Sequence, residues 1–258
     1  MGIGIQNTLV YRFNYLFRSL FGLIPLIAMI SLWRAVYAGK PEVGGYALGE
    51  MISYYLAVMV VDALTAVNED DWQIAGEIKD GQISQFLLKP MNYLTYRLCL
   101  FGAGRLIFSL MALLPVVGFL IWHRESLSIP ADGSTWGWFA LSVVLTGLLQ
   151  FFMSFAMASL AFWVAEVSTF IFILFAFEYL CSGHMFPLDL LPPTIHQLLQ
   201  ALPFTYMMYF PVSIYLEKTT GEALINGLWI QAAWVGAAFL LARSVWSAGV
   251  RRYSAVGG

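Results

Sequence analysis

Asn68–Pro90 reads NEDDWQIAGEIKDGQISQFLLKP and separates two apolar stretches too long for a soluble core. Of the chain's 13 basic and 15 acidic residues, six fall within Glu69–Asp80. Asp80-Gly81 is a turn signal dividing this acidic half from Gln82–Leu88. In the second half Ile83, Phe86 and Leu87 recur at helical spacing and share one side of a short helix that Lys89-Pro90 closes. Charge for water beside an apolar face suits a segment gripped by a soluble partner. The alternative is a loop whose apolar side rests on lipid headgroups.

Outward from this insert the chain is built for lipid. It is 60% hydrophobic and 11% charged, against about 25% charged in ordinary globular domains. Runs of about 20 mainly apolar residues suffice to cross a hydrocarbon core about 30 Å thick. Six such stretches occur, approximately Ser19–Ala38, Leu48–Val67, Leu98–Trp122, Trp136–Trp163, Val167–Cys181 and Leu224–Trp246. Only Ala165–Val167, with Glu166, separates the fourth from the fifth. Backbone groups go unpaired in lipid at high cost, so these must be helices, and the alternating strands of a barrel are missing. The expectation is an all-α membrane protein, one transmembrane domain over residues 1–258. With the N-terminus inside, nine Lys and Arg lie on the cytoplasmic side and four, Arg34, Lys40, Arg124 and Lys218, on the other. That asymmetry puts both termini and the insert in the cytoplasm.

Two further segments depart from simple spans. Leu9, Val10, Phe13, Leu16 and Phe17 share a face, with Arg12 and Arg18 elsewhere on the wheel, as in a helix lying in the interface over residues 5–18. A plain extension of the first span explains them equally. Residues 182–215 carry Pro187, Pro192, Pro193, Pro203 and Pro211, too many for one helix, in a setting too apolar for an ordinary loop. Pro192 and Pro193 start a helix whose greasy face is Ile195, Leu198, Leu199 and Leu202, and Pro203 stops it. A broken helical hairpin dipping into the outer leaflet fits, covering a bundle or cavity.

Chemistry is sparse. No G-x-x-x-x-G-K-[ST] loop exists, and the one Gly-Lys, Gly39-Lys40, runs into Pro41, so nucleotide would have to be bound by another chain. Ion coupling would use acidic groups within the spans, where each costs about 2.5–3.5 kcal/mol on insertion scales. The candidates are Asp62 and Glu178. Asp62 is expected to pair with Arg105 as a packing element, and Glu178, beside Tyr179, either lines a path or reaches the interface. His123, His184 and His196 lack metal-ligand spacing, and adjacent Ser182 and His184 cannot form a nucleophile–base pair. Cys99 and Cys181 fall on opposite sides of the membrane and cannot join.

Three stretches carry a family resemblance: Glu77-Ile78 with Gly81, Ile83, Leu87-Leu88 and Lys89-Pro90; Ser182-Gly183 with Phe186-Pro187-Leu188, Leu191-Pro192 and Leu202-Pro203-Phe204; and Gln231 and Trp234 with Arg251-Arg252-Tyr253 and Gly257-Gly258. In order and spacing they resemble short six-span permeases of the type-2 ABC exporter class. The resemblance implies six transmembrane helices, an N-terminal interfacial helix, a cytoplasmic coupling helix over residues 68–90 and an outer re-entrant hairpin bearing Pro187, Pro192 and Pro203. It implies a non-enzymatic subunit of the bacterial inner membrane, without cofactor or metal of its own, contacting a cytoplasmic ABC ATPase dimer that binds ATP and Mg. Glu77, Ile78, Lys79, Gly81, Ile83, Phe86 and Leu87 would make that contact. A second permease subunit completes the pathway, with a heterodimer favoured over a homodimer, and no nucleic acid is involved. The rival reading is an ion-coupled secondary transporter using Asp62 and Glu178.

Overall fold

The computed structural model describes residues 12–67, 70–123, 128–164 and 166–253. Helices α1 (Arg12–Val36) and α2 (Leu48–Thr65) are joined by a two-stranded ribbon, β1 (Glu42–Val43) and β2 (Tyr46–Ala47). After them come α3 (Asp70–Lys79), α4 (Ile83–Leu87), α5 (Tyr93–His123) and α6 (Gly133–Ala158), the last continuing as a 3-10 turn, Ser159–Phe162. Then α7 (Ser168–Cys181) leads into a segment holding α8 (Pro193–Gln200), α9 (Tyr209–Tyr215) and two 3-10 turns, and α10 (Gly221–Arg252) closes the described chain.

Helices occupy all six apolar stretches. Among the described residues, three helices are long and apolar enough to cross a membrane: Leu48–Thr65, Gly133–Phe162 and Gly221–Arg252. Ile24–Val36 and Ser168–Cys181 are apolar but shorter. The interfacial helix expected over residues 5–18 falls largely outside the described residues, and from Arg12 onward the backbone continues unbroken as α1.

Local sequence explains where the elements start. Asp132 caps α6 by accepting the Ser134 N–H at 3.0 Å, and Glu50 reaches back to the Ala47 N–H at 2.9 Å at the head of α2. Pro187, Pro192 and Pro203 each stand at the beginning of a short helix, where a missing N–H costs nothing. The packing centre is α6, which runs along α10 and also touches α2, α3 and α9, while α5 lies against α1 and α2.

The proline-rich segment leaves many backbone groups outside helices, and other elements satisfy them. Tyr54 Oη donates to Gly183 O, Tyr55 Oη to Met185 O at 2.6 Å, and Tyr209 N to Ser182 O at 2.8 Å. The Tyr206 carbonyl accepts from Gln231 Nε2 (2.9 Å) on α10 and from Thr146 Oγ1 (3.1 Å) on α6. Gln231, wholly buried, also exchanges bonds with Ser142, so one side chain ties three elements together. Left unpaired, each such carbonyl would cost about 1–3 kcal/mol. Gly183 has φ +96°, and a Cβ there would lie 2.7 Å from Tyr54 Oη and 2.9 Å from Tyr209 Cβ, so only glycine fits this crossing.

Tyr46 and Tyr209 both donate to Asp189, at 2.5 and 2.6 Å. Burial first, then the Asp189 hydrogen bond, pushes the Tyr46 phenol far above its ordinary range, so it remains a donor across the physiological span.

Candidate functional site

Two places bring polar chemistry together: the α3–α4 segment, and a cavity between α2, α6 and α7. In the first, Gly81 (φ +74°) makes the turn that Asp80-Gly81 forecast, separating α3 from α4. Glu77 on α3 forms an ion pair with Arg97 near the start of α5, and Tyr93 joins them, donating to Glu77 Oε2 at 2.6 Å and accepting from Arg97 Nε at 2.9 Å. Arg97 is 1% exposed. Tyr93 stacks on Trp246 of α10 with ring centroids 4.6 Å apart and planes 8° from parallel. Tyr253, past the end of α10, is 2.8 Å from Ser84 Oγ and donates to Gly81 O at 3.2 Å.

The expected contact set is thereby divided. Ile83 is 0% exposed and Ile78 is buried, both within the chain's own core. Phe86 is half-buried against Tyr93 and Tyr96, with centroids 5.3 Å away in each case. Glu77, expected among the ATPase-contacting residues, pairs with Arg97 of the same chain. The apolar side of α4 meets the chain itself, Phe86 against Tyr93 and Tyr96 of α5, while Ser84 meets Tyr253 just past α10. Of the expected contact residues, Lys79 and Leu87 are exposed, and beside them so are Trp72 and Leu88, the latter 87% exposed.

The cavity measures about 180 Å³ and is lined by Asp62 and Ala66 of α2, Gln150 and Ser154 of α6, Glu178 and Tyr179 of α7, His184 and several apolar side chains. Gln150 Nε2 donates to Glu178 Oε1 at 2.8 Å. His184 Nε2 lies 3.4 Å from Asp62 Oδ1 and its ring stacks on Tyr179 at 5.3 Å; its Nδ1 is 2.9 Å from Ser182 Oγ, so these two side chains do pair, contrary to the expectation from their closeness in sequence. Asp62 thus turns toward His184, not toward the expected Arg105, whose guanidinium lies over the Phe101 and Phe108 rings at 5.8 and 5.2 Å. Asp62 and Glu178, treated separately in the sequence, share this cavity.

His184, Gln150 and Ser154 were not foreseen as site residues. The available signal was the row Ser142, Thr146, Gln150 and Ser154, each four residues after the last, which places all four on one face of α6. Nothing in the sequence said that the residues after α7 would fold back against α2.

Long apolar helices packed into one bundle, three of them among the described residues able to cross a membrane, suit an integral membrane protein. The chain belongs to the ABC-2 family of transporter proteins, whose family model it matches over residues 23–257. It is therefore a membrane permease component of an ABC transporter, a class that works with an ATPase subunit. No curated protein and no solved structure matches it.

Proposed function

We propose that the chain forms half of an export pathway in a bacterial inner membrane, and that a separate ATPase dimer works it through the α3–α4 segment. Six spans with both termini in the cytoplasm put that segment on the ATPase side, and residues 182–215 then form a re-entrant hairpin at the opposite face. ATP and Mg are bound by the partner. A second, different permease chain completes the pathway.

The observation that carries this reading is Leu88, a large apolar side chain 87% exposed on a segment whose other apolar residues are mostly buried. Leu87, Gln85 and Lys89 flank it at the surface. Exposed leucine in a cytoplasmic turn suits insertion into a soluble socket. For the ATPase to drive transport it must hold this surface differently in its two nucleotide states, since equal affinity shifts nothing. Because the segment is fastened to α5 and α10, its displacement is passed to both helices rather than absorbed.

Asp62 supports a path on this face, since its side chain is 52% exposed on an apolar helix. A carboxylate costs too much against lipid tails and belongs beside water or another subunit. Leu88→Asp should insert normally yet lose both the co-purifying ATPase and ATP-driven transport. Retention of both would overturn the assignment. The rival, an ion-coupled transporter, draws on Asp62 and Glu178 sharing one cavity. Collapsing the proton gradient with ATP intact stops only the rival.

A further inference from the structure

The cavity between α2, α6 and α7 has an acceptor-rich wall. Besides the Asp62 and Glu178 carboxylates, Gln150 Oε1 and Ser154 Oγ are buried, on residues 5% and 7% exposed, and find no hydrogen-bond partner among the described residues. The Gln150 amide already spends its N–H on Glu178, leaving its oxygen to accept. Buried polar atoms are rarely left so, and here both line one pocket. No Lys or Arg is among its lining residues, and His184 is engaged by Ser182 and Asp62. Such a wall complements a cation that donates hydrogen bonds.

A second hollow adjoins it. This groove, about 270 Å³, shares Asp62, Tyr179 and His184 with the first and is otherwise walled mainly by Leu26, Met29, Val58, Met59 and Met185. Methionine-rich walls adapt to apolar bodies of varied shape. At about 180 Å³ the polar pocket takes a headgroup rather than a whole molecule, given that about 150 Å³ holds a benzene-sized guest.

We infer that the permease carries an amphipathic amine: its ammonium sits among Asp62, Glu178, Gln150 and Ser154, and its apolar chain lies in the Met29–Met59 groove. The inference rests on the permease reading for the word carries, and on the two hollows for the substrate class. The ammonium could belong to a free long-chain amine or to an aminolipid, and the test separates these sources.

The complex, purified with its ATPase in phosphatidylcholine nanodiscs, is titrated with dodecylamine, dodecanol and dodecanoate, with thermal stabilisation as the readout. Dodecylamine should bind about tenfold or more tighter than dodecanol, since a charge-assisted bond exceeds a neutral one, and dodecanoate weakest. Asp62→Asn and Glu178→Gln should each weaken dodecylamine about tenfold and leave dodecanol unchanged. Equal affinity for amine and alcohol in the unaltered complex, a comparison that needs no variant to fold, overturns the inference, as does full amine affinity in both variants. Displacement of dodecylamine by added phosphatidylethanolamine makes the source a lipid, and displacement by free amines alone makes it a solute. Amine binding without ATP-driven movement of the amine counts against the permease reading and leaves the site standing. ATP-driven transport without amine preference does the reverse.

Discussion

The α3–α4 segment and the hairpin of residues 182–215 are both irregular excursions from a helical bundle, yet they are fastened by opposite means. The first is held by a buried ion pair, Glu77–Arg97, and by aromatic stacking of Tyr93 on Trp246. The second is held chiefly by neutral donors, hydroxyls of Tyr54, Tyr55 and Thr146 and the Gln231 amide, that satisfy stray carbonyls. A buried ion pair must offset the desolvation of both charges by close geometry and further bonds, which Tyr93 supplies; stray carbonyls need only a neutral donor each. Each fastening has one contact on α10, Trp246 in the first and Gln231 in the second, so that helix joins one excursion to the other.

The comparison breaks most readily at the ion pair. Arg97→Ala leaves Glu77 without its countercharge and should lower stability by about 3–5 kcal/mol, seen as a fall in the thermal midpoint of the detergent-solubilised protein. Combining Arg97→Met with Glu77→Leu should recover most of that loss, because a buried pair replaced by apolar residues of similar volume is often neutral. Failure of the double variant to recover would mean that the pair does more than balance charge.

A smaller effect is expected at the neutral knot. Gln231→Leu removes the donor shared by Tyr206 O, Ser142 O and Thr146 and should cost about 1–3 kcal/mol, with earlier proteolysis within residues 182–215 than in the unaltered protein. If cleavage instead accelerates in the α3–α4 segment, the two fastenings are not separate. The mildest probe is Tyr253→Phe, which deletes the bonds to Ser84 and Gly81 while keeping the ring packed on Phe162, 6.0 Å away. A loss of about 0.5–1.5 kcal/mol is expected, alongside a drop in ATPase stimulation if α10 feels the segment through this hydroxyl.

Much of this was legible from residues alone, for reasons that can be named. Hydropathy located the apolar helices because lipid demands long uninterrupted runs, and Asp80-Gly81 located the break in the insert because glycine tolerates a positive φ. Pro192 and Pro193 marked a helix start because each lacks an N–H; Pro203, read only as the stop of that helix, also opens the next short turn. Long-range pairing stayed hidden. That Phe86 packs on Tyr93, which stacks on Trp246, or that His184 reaches Asp62 across 122 positions, depends on how helices assemble, and one sequence carries no record of that. Helical spacing showed that α4 has a covered side without saying what covers it. Gln150 and Ser154 read as stray polar residues until α7 and His184 closed a cavity over them.

The length of α7 has a consequence for the surrounding bilayer. Its 14 residues make a rod about 21 Å long at 1.5 Å per residue, well short of a hydrocarbon layer about 30 Å thick. Acyl chains beside it would meet folded polypeptide instead of helix over the remaining depth. Either the lipid thins at that corner or a neighbouring subunit shields it. The shortest of the helices filling the six apolar stretches is thus the place where membrane thickness would bear on how the whole assembly works.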